Sequence, residues 1–183
     1  RAERLAGPDH LKRWKGEAMA PTVTPTLTPN LGIATEARGT IADMLNVLLA
    51  DEYVLYTKTR NYHWNVVGPQ FNDLHRFFET QYEELNGIVD EVAERARTLG
   101  GRAWGTLTEF ARHARLKERA GESPTARDMI AALLGDHEAV ARQLRADLET
   151  AAKHGDMGTS DFLTGLMEKH EKMAWMLRAF LEG

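Results

Sequence analysis

The 183-residue chain contains no cysteine. That excludes disulfides, thiolate metal sites and cysteine nucleophiles, so any metal must be held by nitrogen and oxygen donors. No apolar run approaches the ~20 residues needed to cross a bilayer as a helix, and no segment has the alternation of a strand. Net charge is small, −4 with a pI near 6.0, which argues against a body built to bind nucleic acid. What remains, 43% hydrophobic and 27% charged residues, fits one folded globular domain with a substantial core. A cytoplasmic protein is the expectation. The chain opens at Arg1 rather than Met, which keeps an exported form, trimmed of a leader, in view.

Residues 1–30 read as a tail. APTVTPTLTPN cannot continue a helix and is an extended linker by composition. The preceding RAERLAGPDHLKRWKGE holds five basic residues, Arg1, Arg4, Lys12, Arg13 and Lys15, against three acidic ones. Residues 31–183 carry four long helical patterns. The first runs from about Thr35 to Asn65, with Ile41, Leu45, Leu48, Tyr53 and Leu55 on its apolar side. Gly68-Pro69 breaks it, and Pro69 suits the first turn of the next helix. That helix carries Phe71, Leu74, Phe78, Leu85, Ile88, Val92 and Leu99 and stops at Gly100-Gly101. A connection of roughly twenty residues follows. Because it holds Trp104, Leu107, Phe110 and Leu116, it is expected to contain a short helix. A third helix starts near Thr125 with Ile130, Leu133, Leu134, Val140, Leu144 and Leu148 as its core stripe. The fourth is expected from Thr159 or Ser160, with Phe162, Leu163, Leu166, Met173, Leu177 and Phe180. Four helices with one long crossover between the second and third define an all-α, ferritin-like bundle.

Chemistry concentrates in the second helix. His75/Glu79 and Asp90/Glu94 are i,i+4 pairs, each on one helical face. At ~100° per residue the four positions fall at roughly 0°, 40°, 60° and 100°, a single stripe. The pairs are nevertheless fifteen residues apart, ~22 Å along the axis, too far for one ion to touch both. A second copy of the helix, antiparallel across a two-fold axis, would bring His75/Glu79 of one chain to Asp90/Glu94 of the other, and symmetry would produce the site twice. His63, just before the turn, can come beside the second helix. Two imidazoles with carboxylates suit Fe(II) with positions left open for an oxidant, and zinc or manganese could occupy the same site. A site inside one bundle is disfavoured, since di-iron bundles use Glu-x-x-His on two helices and the chain has none. His137, Glu138, Glu168, His170 and Glu171 are expected at the surface, at interfaces or in hydrogen bonds.

NYHWNVVGPQFNDLHRFFETQYEELNGIVDEVAERARTLGG resembles the Dps family, the mini-ferritins known as DNA-binding proteins from starved cells. The elements that carry the likeness are His63-Trp64-Asn65, Gly68, Phe71, Leu74-His75, Asp90, Ala93-Glu94-Arg95 and Leu99-Gly100-Gly101. The likeness extends over residues 35–182. It implies a hollow dodecamer in which His63, His75 and Glu79 of one subunit and Asp90 and Glu94 of its two-fold partner bind Fe(II). There iron is oxidised by hydrogen peroxide or O2 and stored as ferric mineral, which protects against oxidative damage. The family often has Asp where this chain has Glu79. Trp64 resembles a family tryptophan placed to intercept oxidising equivalents, although by residue type a packed core Trp is the plainer expectation. The alternative is a nucleoid-compacting protein that binds DNA through Arg1, Arg4, Lys12, Arg13 and Lys15. Iron entering a closed shell needs an acidic channel, for which Asp156 and Asp161, with Asp147 and Glu149, are the candidates. Asp161 as a helix-N-terminal residue and Asp156 as a loop carboxylate are the plainer roles.

Overall fold

The computed structural model describes residues 27–182; the basic residues Arg1, Arg4, Lys12, Arg13 and Lys15 lie outside them. Five helices follow in order: α1 (Thr35–Asn65), α2 (Phe71–Thr98), α3 (Leu107–His113), α4 (Ala126–Lys153) and α5 (Met157–Leu181). α1 pairs with α2 and α4 with α5, and α3 lies in the crossover against α1. The result is the expected four-helix bundle with a short crossover helix. Ile41, Leu45, Leu74, Phe78, Leu85, Leu133, Leu144 and Leu163 interlock along its axis, all fully buried.

Two polar residues of α1 pin the crossover. Asn46 receives the Trp104 amide on its Oδ1 and donates Nδ2 to the Arg102 carbonyl, both at 2.9 Å. Asp51, 2% exposed, accepts from the Arg115 amide at 2.6 Å, the Leu116 amide at 3.2 Å and the Arg115 Nε at 2.6 Å. Between these anchors Thr106 and Glu109 form a reciprocal capping box that starts α3, satisfying amides the helix itself cannot. The α2 C-terminus turns at Gly100, whose φ of 91° a side chain would resist. At Gly101 a Cβ would stand 2.6 Å from the Ala42 Cβ, so the close α1–crossover approach requires glycine.

Several expectations need correction. α5 begins at Met157, two residues before the expected Thr159, because Asp156 is its cap. Asp156 Oδ1 accepts from the Thr159 amide at 2.9 Å, and Oδ2 accepts from the Thr159 hydroxyl at 2.5 Å. Pro69 lies in the turn ahead of α2, whose N-cap is Gln70. Phe71, placed in the core by periodicity, is 46% exposed and stacks on His75 with ring centroids 5.1 Å apart. Trp64 is no core residue either; it is 63% exposed within the chain. The expectation for the other His and Glu residues holds: Glu138 and Glu171 are surface partners of Arg178 and Arg145, Glu168 is exposed, and His137 and His170, fully buried, are hydrogen-bonded to each other.

Candidate metal centre

The last turn of α1 and the second turn of α2 bring His63 and His75 face to face, rings stacked at 3.8 Å and 21°. Each imidazole Nδ1 lies 2.8 Å from the other residue's backbone carbonyl. A carbonyl oxygen only accepts, so both Nδ1 atoms must carry hydrogen, and Nε2 is the nitrogen left to each ring for a metal. The His63 carbonyl is available because it belongs to the last turn of α1, where helical carbonyls lack intrahelical partners. This reciprocal pairing fixes both ring orientations with Nδ1 as donor, which is how ligating histidines are oriented for a metal. The sequence placed His63 beside the second helix; the exchange of backbone bonds was not readable from it.

Glu79, one turn beyond His75, accepts a 3.3 Å hydrogen bond from the Tyr82 hydroxyl. The Tyr82 ring stands edge-on to His63 with centroids 5.2 Å apart. Burial and the neighbouring Glu79 carboxylate push the Tyr82 phenol up, so it remains a donor. The Arg60 guanidinium packs over Tyr82 at 5.0 Å, Trp64 at 5.2 Å and Tyr56 at 5.6 Å, and donates to the Tyr56 hydroxyl at 2.6 Å. Tyr82 thus braces two candidate ligands and is itself braced by Arg60. Tyr82→Phe should keep the ring and lose the bond to Glu79, weakening Zn(II) or Co(II) affinity by roughly tenfold or more. Isothermal titration against wild type is the check.

Asp90 and Glu94 are exposed farther along α2. Among the described residues, no three His, Asp or Glu side chains of the one chain are placed to hold a metal ion together. The next residue, Arg95, faces the other way: its Nη2 meets Asp156 Oδ1 and its Nε meets the Thr159 hydroxyl, both at 2.9 Å, tying the end of α2 to the start of α5. Asp156 is 2% exposed, and its carboxylate is fully engaged there. Asp147 is 6% exposed and bonded to Gln143 at 2.9 Å; burial pushes its carboxyl up, Gln143 opposing. Of the four candidate channel carboxylates, only Asp161 and Glu149 are exposed.

The fold and paired histidines define a ferritin-like protein, and the Ferritin-like domain family model matches residues 42–183. A low temperature-induced protein of Nostoc sp. is 50% identical over 155 residues, 84% of this chain and 87% of that protein. DNA protection during starvation protein 2 of Bacillus anthracis is 42% identical over 142 residues, covering 77% and 96%. The Dps protein of Vibrio cholerae O1, described as one of the ferritin-like diiron-carboxylate proteins, superposes with a TM-score of 0.80 at 36% identity, covering 85% and 98%. The Thermosynechococcus elongatus Dps gives 0.77 at 33%, covering 80% and 93%. The chain belongs to the Dps family of mini-ferritins.

Proposed function

We propose that this protein is a ferroxidase and iron store whose oxidation sites are shared between two-fold-related subunits. His63, His75 and Glu79 of one subunit would meet the partner's Asp90 and the partner's Glu94. The observation that carries this reading is the reciprocal His63/His75 pairing, which leaves both Nε2 atoms for a metal with no completing carboxylate pair within reach along α2. Iron is the substrate. Two Fe(II) ions give up one electron each to one hydrogen peroxide, which takes two protons and leaves as two waters. The protein's part is to supply hard oxygen and imidazole donors in fixed positions. Delivering both electrons together keeps peroxide from splitting into hydroxyl radical, which is the protective effect. The ferric product would collect inside a closed shell, by family likeness a dodecamer. Asp161 and Glu149 are the carboxylates best exposed to line an entry route.

Wild-type protein given Fe(II) with limiting peroxide should oxidise two Fe(II) per peroxide consumed and retain the iron through gel filtration, with little hydroxyl radical trapped. Oxidation at the rate of free iron in buffer, or loss of all iron on the column, contradicts the reading. DNA compaction is the other reading, since the B. anthracis relative is called a DNA protection protein. It would act through residues 1–30, and its mark would be salt-sensitive binding lost with that segment.

A further inference from the structure

At the centre of the bundle, remote in sequence from the α2 ligand stripe, three ionisable side chains from three helices form a line. Glu52 of α1, His170 of α5 and His137 of α4 are each 0% exposed. His170 Nε2 lies 3.0 Å from Glu52 Oε1, and His170 Nδ1 lies 3.0 Å from His137 Nδ1. Among the described residues no arginine or lysine is paired with Glu52; the Glu52 oxygens and His170 Nε2 approach within ion-pair distance without an aligned hydrogen bond, and His137 Nε2 has no partner. The neighbouring charges are spent elsewhere: Asp136, next to His137 on α4, is paired with Lys58 of α1 at 2.5 Å, and Glu138 with Arg178. From α2 the buried Gln81 donates to the Met173 carbonyl one turn beyond His170 at 3.5 Å, and Glu84 and Glu91 pair with Lys169, the neighbour of His170 on α5, at 3.0 and 3.9 Å.

We infer that Glu52–His170–His137 is a buried proton-binding site that fastens α1, α4 and α5 at neutral pH and comes undone on acidification. Electroneutrality sets the occupancy. A buried carboxylate without a countercharge is costly, and one proton held within the Glu52–His170 pair, on either partner, makes the line neutral. His170 then donates through Nδ1 to the His137 Nδ1 lone pair, and all three helices are joined. A second proton, whether on the Glu52–His170 pair or on His137, leaves a net positive charge in a dry core. On His137 the free lone pair is that of Nδ1, and a proton there would face the His170 hydrogen across 3.0 Å and break the bond between helices. Burial first, and the neighbouring His170 second, hold the His137 pKa well below the usual imidazole range.

The sign follows from linkage. In the unfolded chain His137 takes up a proton near the ordinary pKa of ~6.5, whereas in the folded chain it does not. Stability from this residue is therefore intact above ~6.5 and declines as pH falls below it. His137→Asn keeps an acceptor near the position of Nδ1 and removes the titration. Between pH 7.5 and 5.5 the unfolding constant of wild type should rise about tenfold more than that of the variant, measured by denaturant titration at one protein concentration. An equal rise in the two proteins overturns the inference. Should the variant not fold, imidazole 15N shifts of the wild type decide. His137 should stay neutral until helix content is lost; titration at an ordinary midpoint in the folded protein is the contrary result. Co(II) added to chelator-stripped protein at neutral pH should leave the His137 and His170 resonances unmoved. A shift of both would make the line a metal site and overturn the inference as well.

Discussion

Two inactive variants should restore activity when mixed. His63→Ala/His75→Ala removes both imidazoles from every site, and Asp90→Ala/Glu94→Ala removes both partner carboxylates, so each assembly alone should lose ferroxidation almost completely. In a mixed dimer both lesions fall on one site, and the other holds all five native ligands. Random exchange makes half of the dimers mixed, so about a quarter of all sites should be intact. A mixture with verified subunit exchange should recover about that share of the wild-type rate. The physical basis is the ~22 Å between His75 and Asp90 along α2, together with the exposure of Asp90 and Glu94. A site built within one chain would give no recovery.

A second large effect is expected at Asp156. Its carboxylate is buried against Arg95 and caps α5. Asp156→Ala leaves a largely buried guanidinium uncompensated and the first turn of α5 without its acceptor. The loss should be about 3 kcal/mol or more, dominated by the broken pair with a cap contribution of ~1 kcal/mol. Denaturant titration should find it as a lower midpoint. Asp161→Asn, on the exposed side of the same turn, should leave stability within about 0.5 kcal/mol and slow iron uptake at low salt, where an acidic entry concentrates cations. Unchanged uptake by an intact Asp161→Asn shell removes that residue from the entry route.

The elements were legible because their signals are local and repeat. Leucines and isoleucines at helical spacing set α1, α2, α4 and α5, and Gly100-Gly101 with Thr125 marked ends that the structure keeps. The crossover helix was readable from apolar residues too dense for a bare loop. The α2 stripe was readable because a helix converts sequence spacing directly into angle and height. What escaped lacks any such conversion. Asp156 read as a loop carboxylate or a channel candidate, because its Arg95 partner depends on a contact across 61 positions. Phe71 and Trp64 fit the apolar count yet face outward within one chain. His137 and His170 lie 33 positions apart, and nothing in either neighbourhood announces that they touch or that Glu52 completes the line. The backbone bonds exchanged by His63 and His75 depend equally on the α1–α2 turn closing.

The most direct measurement is a metal-soaked crystal structure of the native assembly, with anomalous scattering locating the ion. The ion should lie between two chains, bound by the Nε2 atoms of His63 and His75 from one subunit and by the partner's Asp90 and the partner's Glu94. An ion bound wholly within one chain, or at a place that leaves both histidines uncoordinated, would contradict the shared site.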